Sequence, residues 1–184
     1  AQMLASVMFD LRPIAGETAL FGDLHAEVLA RAKKNSIFVA YMVSNSLKHT
    51  VPLGLFRGFA LIRSGEHRNT IDLKHSGVVP VVDLGRVYAL LGSLAEAGTR
   101  DRIDGALEAG VISKSGGRDL LDAFDFIAET RLRHQATQIT RGETPDNFMD
   151  PADLSDLERS HLRDAFMVVK TMQSAVEQAR GVRG

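Results

Sequence analysis

Cysteine is absent from the 184 residues, so a disulfide framework, thiolate chemistry and Cys-based zinc sites are all excluded, and a reducing compartment suits the chain. Charge of one sign is also lacking. The 22 Lys and Arg nearly balance the 23 Asp and Glu to a formal net charge of −1, which argues against a broad electrostatic footprint for DNA or RNA. No long hydrophobic run exists either: the longest, Ile37 to Val43, falls far short of the about 20 residues of a membrane span. The stretch Ala1 to Phe9 has no basic region of the kind that opens a signal peptide. These absences predict a cytoplasmic protein with neither a membrane nor a nucleic acid as partner. Internal repeats, glycine-rich phosphate loops, G-x-S-x-G, H-E-x-x-H and Walker-type signatures are missing as well. The six histidines are scattered without metal-ligand spacing.

What is present is ordinary globular composition, 45% hydrophobic and 24% charged, in a chain long enough for one good core or two small ones. Residues Ser6 to Arg12 read as a short apolar strand stopped by Pro13 and Gly16, with Asp10 inside it. That carboxylate is a candidate metal ligand, or else an ion-pair or strand-end residue beside Arg12. Thr18 to Lys34 reads as an amphipathic helix with Leu20, Phe21, Leu24, Val28 and Ala32 inward. Ser36 to Lys48 is apolar nearly all round, which predicts a deeply buried helix. Phe59 to Arg63 and Thr70 to Leu73 read as two strands of a hairpin joined by the polar turn Ser64 to Asn69. At its exit, alternation sends Asp72 and Lys74 to one side, either as an intra-strand pair or as a lysine that faces phosphate.

Further helices are predicted over Val79 to Ala97, Thr99 to Ala109, Gly116 to Gly142 and Leu154 to Gln178, the last with Asp150 and Pro151 as its cap and first residue. The third of these carries an odd seam. At ~100° per residue, Leu120, Leu121, Phe124, Ile127, Ala128 and Ile139 share a stripe with Arg131, Gln135 and Gln138. The last helix repeats the pattern, since Leu162, Phe166, Val169 and Val176 share theirs with Lys170 and Gln173. Burying such groups without partners costs several kcal/mol, so they are either paired structural residues or the wall of a site for an anion. Asp83, on the seam of Leu84, Val87, Leu90, Leu91 and Leu94, offers a partner for a buried arginine such as Arg131.

The segments IDLKHSGVVPVVDLGRVYALL from Ile71, TRDRI, RLRHQ, PDN with DP, and LRDAFMVVKTMQ resemble the nucleotidyltransferase substrate-binding domain of bacterial signal-transduction proteins, whose upstream regulatory parts bind cyclic nucleotides or are of cystathionine-β-synthase type. The first third resembles the end of the nucleotidyltransferase domain that precedes it in that family, similar to glutamine synthetase adenylyltransferases, with FDLRPIAG matching the strand of the third catalytic carboxylate. The resemblance implies a mainly α fold. An antiparallel bundle of four to five helices would follow a remnant α+β segment of a polymerase-β-like domain and the small hairpin, with residues 1–65 as the end of the nucleotidyltransferase domain and 66–184 as the helical substrate-binding domain. It implies Asp10 as a catalytic, magnesium-binding carboxylate, although the Gly-Ser and Asp-x-Asp motifs that would complete the magnesium site do not occur ahead of Asp10 in this sequence. A nucleoside triphosphate and a protein or small-molecule acceptor would be held through Asp72, Lys74, Asp83, Arg131, Gln135, Lys170 and Gln173. The alternative is a non-catalytic helical module for regulation or for pairing as a homodimer.

Overall fold

The computed structural model describes residues 9–54 and 58–181. Among them the chain is mainly α, as expected, with six α-helices and one two-stranded antiparallel sheet. Helix α1 spans Thr18–Lys34 and α2 spans Ser36–Ser46. Asn35 joins them: its backbone N–H caps Ala32 of α1, and its Oδ1 accepts from Phe38 N of α2 at 3.0 Å. Arg31, Lys33 and Lys34 in the last turn of α1 suit the negative end of its dipole.

Strand β1, Ile71–Asp72, leads into one π-helical turn over Lys74–Val78 and then directly into α3, Val79–Gly92. That helix stops short of the expected Ala97 because Ser93 adopts a positive φ of 56°. Helix α4, Thr99–Glu108, follows, then α5, Lys114–Thr140. Gly142, at φ 76°, ends α5 in a Schellman motif: Glu143 N donates to Gln138 O and Gly142 N to Ile139 O. Strand β2, Phe148–Met149, precedes a single 3-10 turn at Pro151–Asp153, capped by Asp150, and α6, Asp156–Gly181. Ser155 opens α6 with a capping box: Glu158 N donates to Ser155 Oγ at 3.3 Å, and Ser155 N to Glu158 Oε2 at 3.0 Å.

Two expectations for the sheet and the first strand are corrected. Strand β1 pairs with β2, Ile71 opposite Met149 and Asp72 opposite Phe148, and not with Phe59–Arg63. Phe59 makes an isolated bridge to Leu53, while Ile62 exchanges backbone hydrogen bonds with Asn69 and Thr70, so the Ser64 to Asn69 turn survives without a regular hairpin. The expected strand at Ser6–Arg12 lies partly outside the described residues, and at Phe9 and Asp10 the chain turns.

The residues form two compact units, each built from separated stretches of chain. In the first, Phe9, Leu29, Met42 and Leu90 make a buried cluster onto which Ala32, Phe38 and Val39 pack, and the Phe9 and Phe38 rings meet at 5.8 Å. Each such side chain contributes roughly 1.5–3 kcal/mol by leaving water. The inward faces of α1 and α2 are narrower than read from pattern. Leu20 and Leu24 are 73% and 61% exposed, and Ile37 and Tyr41 are also exposed, because Leu29 and Met42 set the buried sides. In the second unit, Ile71, Leu73, Leu120, Ile127, Met149, Leu162, Phe166 and Val169 are buried. Gly77 sits where a Cβ would come within 2.8 Å of Ile127 Cγ2, which explains a glycine in the π turn. Among the described residues no helix is long and apolar enough to cross a membrane.

Candidate functional site

The polar face of α5 comes to life at its C-terminal half, where it grips the loop ahead of β2. Arg131 Nε donates to Asn147 Oδ1 at 2.6 Å, and Gln135 Nε2 reaches the same oxygen at 3.4 Å. One turn on, His134 Nε2 lies 3.2 Å from Asp146 Oδ1, and buried Gln138 accepts from Asp146 N at 2.9 Å. Burial alone would raise the Asp146 pKa. The Phe148 N–H, His134 and Gln138 outweigh it and hold the carboxyl below the ordinary value. Asn147 also accepts from Leu73 N at 2.9 Å through its carbonyl, so the loop is fixed to the end of β1 as well.

Beside this network lies a concavity of about 320 Å³, walled by Thr130, Arg133, His134, Thr137, Gln138 and Arg141 of α5 and bounded by Glu158 at the start of α6. Its charges are mixed. Arg133 is neutralised by Glu129 and Glu158, each at 2.7 Å. Arg141 is exposed, and among the described residues its guanidinium has no hydrogen-bond or ion-pair partner. The arrangement offers a hydrogen-bonding surface of hydroxyls, an imidazole and one free cation, with carboxylates opposite.

The residues expected to hold substrate divide between the two units, Asp83 and Gln173 in the first and Asp72, Lys74, Arg131, Gln135 and Lys170 in the second. Asp72 accepts from Lys74 N at 3.0 Å and His75 N at 2.9 Å and pairs with the His75 ring at 2.8 Å, so it caps the π turn and makes no pair with the lysine ammonium. Lys74 and Lys170 are both exposed, so neither lies on a buried stripe. Ile139 is 62% exposed and leaves the stripe too, because α5 runs on past its apolar neighbours there. Gln173, in the first unit, is buried and donates to Ser46 O at 3.3 Å. Asp83 is buried as expected, but its guanidinium is that of Arg86, three residues on, at 2.8 Å; Arg131 takes Asn147 instead.

Asp10 occupies a site of another kind. Arg86 Nε lies 3.1 and 3.2 Å from its two oxygens, Arg102 donates to it at 2.7 Å, and Arg102 also reaches Phe9 O. Burial pushes the Asp10 carboxyl up, but the two guanidiniums hold it below the ordinary carboxylate value. Burial likewise lowers the Arg86 pKa, and Asp10 and Asp83 raise it further than burial lowers it. Two guanidiniums already hold the Asp10 carboxylate and would repel a divalent ion, so Asp10 in this setting does not fit a magnesium ligand. Among the described residues no cluster of three or more His, Asp or Glu is placed to hold a metal. Arg86 and Arg102 are the residues that reasoning from sequence missed. The i, i+3 spacing of Asp83 and Arg86 carried the signal for one, and nothing local carried it for the other.

The class that the helical fold with this polar face and adjoining concavity falls in is given by a family match. Residues 36–179 match the family described as "Putative nucleotidyltransferase substrate binding domain", and the chain belongs to that family. Neither a curated protein nor a solved structure matches the chain. The matched segment includes the boundary expected near residue 65.

Proposed function

We propose that this chain is the substrate-binding part of an enzyme that transfers a nucleotidyl group from a nucleoside triphosphate to a hydroxyl of a protein or small molecule, in the bacterial cytoplasm and under the control of upstream regulatory domains. The observation that carries the reading is the family match over residues 36–179. The concavity beside α5 is the acceptor side of this proposal. Its mixture of Thr130, Thr137, His134 and Gln138 with paired charges suits a hydroxyl-bearing molecule better than a triphosphate. Magnesium would come with carboxylates outside this sequence, and no step is routed through Asp10.

The test uses the full-length protein and labelled nucleoside triphosphates with candidate acceptors. Arg141→Ala and Thr137→Val are expected to lower label transfer at least about 10-fold, a loss of roughly 1.4 kcal/mol, while the melting temperature stays within about 2 °C. Transfer at the parent rate in both variants would refute the acceptor site. A second reading has its own support: Arg131 and Gln135 are spent on Asn147, and Gln173 on Ser46, as in a structural module. Absence of label transfer with every triphosphate would favour that non-catalytic role, in regulation or in a homodimer.

A further inference from the structure

The second unit contains a larger concavity, about 480 Å³, whose lining includes Gly54, Phe59, Leu61, Arg63, Arg68 and Asn69. None of the sequence segments discussed above as substrate-holding contributes to it. We propose that it is a binding site for a small phosphorylated molecule, held by the guanidiniums of Arg63 and Arg68.

Three observations carry this. The first is charge. Among the described residues neither the Arg63 nor the Arg68 guanidinium has a hydrogen-bond or ion-pair partner, although 23 acidic residues are available in the chain. Glu66 lies between them in sequence and still does not line the concavity. Two like charges beside one hollow repel each other, and a dianion relieves that repulsion. The guanidinium fork also matches phosphate oxygens two at a time.

The second is rigidity. The turn that carries both arginines is tied at its base, where Asn69 N donates to Ile62 O at 2.9 Å and Ile62 N to Thr70 O at 3.0 Å. Within it, Thr70 Oγ1 donates to His67 O at 2.6 Å. The His67 ring stacks on Phe148 of β2, with centroids 3.5 Å apart and planes 7° from parallel. Asn69 is held at φ 67°, a left-handed conformation that non-glycine residues rarely adopt, and the surrounding bonds keep it there. A turn fixed before the ligand arrives loses little entropy when it binds.

The third is shape and chemistry of the floor. Phe59 and Leu61 are partly exposed there, and the Phe59 ring is braced edge-on by Phe166 at 6.2 Å. A floor of that kind accommodates the organic part of a phosphate ester beside the two cations. The volume lies within the roughly 300–1,000 Å³ of small-molecule sites.

The inference concerns binding by this chain alone and does not rest on the nucleotidyltransferase reading. Calorimetric titration of the whole chain with inorganic pyrophosphate tests it. The parent is expected to bind with a Kd below about 1 mM. Arg63→Ala and Arg68→Ala should each weaken binding at least about 10-fold, and Arg63→Lys should recover only part of the loss, because an ammonium cannot grip two oxygens in one plane. Arg118→Ala, an exposed arginine on α5, removes the same charge elsewhere and should leave the Kd within about twofold. Both target arginines are exposed, so unchanged melting temperatures will certify the variants as folded. No heat of binding in the parent, equal affinity in the Arg63 and Arg68 variants, or an equal loss in Arg118→Ala would each overturn the proposal.

Discussion

Asp10 shows how one side chain can be recruited to stability when its surroundings are cationic. Its folded pKa is held down by Arg86 and Arg102, and that of Asp146 by Phe148 N–H, His134 and Gln138. A depressed carboxylate stabilises the fold fully above its ordinary value of 3.8, and this stabilisation is lost as pH falls below that value through the folded one. Asp10→Asn keeps an acceptor but strands Arg102, whose side chain is only 2% exposed, without a counter-charge. We expect a loss of about 2–3 kcal/mol at pH 7, below the 3–5 of a fully buried pair because Asp10 is itself 31% exposed. Urea unfolding followed down to about pH 2 should also give a flatter limb below pH 3.8 for the variant; an acid slope equal to the parent's would disprove the linkage. Part of this cluster was readable beforehand. Asp83 on an apolar seam demanded a guanidinium, and Arg86 stood at i+3. Arg102 was not readable, since its partner Asp10 lies 92 residues away and no periodicity names a partner at that separation.

At the scale of elements, Gly142 marked the end of α5 in advance, whereas Asp150 and Pro151, read as the cap and first residue of the last helix, open a separate 3-10 turn, and Ser155 with Glu158 begins α6. Stripes were legible only over the length that has something to pack on. Extrapolation at a fixed angle placed Ile139 and Lys170 inward, yet both are exposed, because the angle is local and the neighbour is not. The sheet failed for a related reason. Alternation identifies a strand such as Ile71–Asp72 but does not choose between a near partner and Phe148–Met149 far along the chain. The π turn between β1 and α3 brings a prediction of its own. Gly77→Ala would drive a methyl to within 2.8 Å of Ile127 Cγ2 and 3.6 Å of Phe166, and should destabilise by about 1–3 kcal/mol. Chemical denaturation measures it, and Gly77→Ala combined with Ile127→Leu, which removes the Cγ2 methyl, should recover part of the loss; a neutral single variant would show that the turn relaxes freely.

For the molecule as a whole, the division into units matters more than any boundary drawn along the sequence. One unit takes residues 1–48, 82–118 and 173–184, and the other takes 49–81 and 119–172. A fragment of residues 66–184 would discard α1 and α2 with Leu29 and Met42, baring the cluster that surrounds Leu90, and would also cut the second unit within its first stretch. Such a fragment should show reduced helicity by circular dichroism and bind a hydrophobic dye, and the intact chain is expected to do neither; a fragment with native helical content and a sharp melt would contradict this. The interleaving also bears on inheritance. Recombination moves contiguous stretches of gene, and no contiguous stretch here encodes either unit, so a crossover anywhere between residues 49 and 172 hands on parts of both.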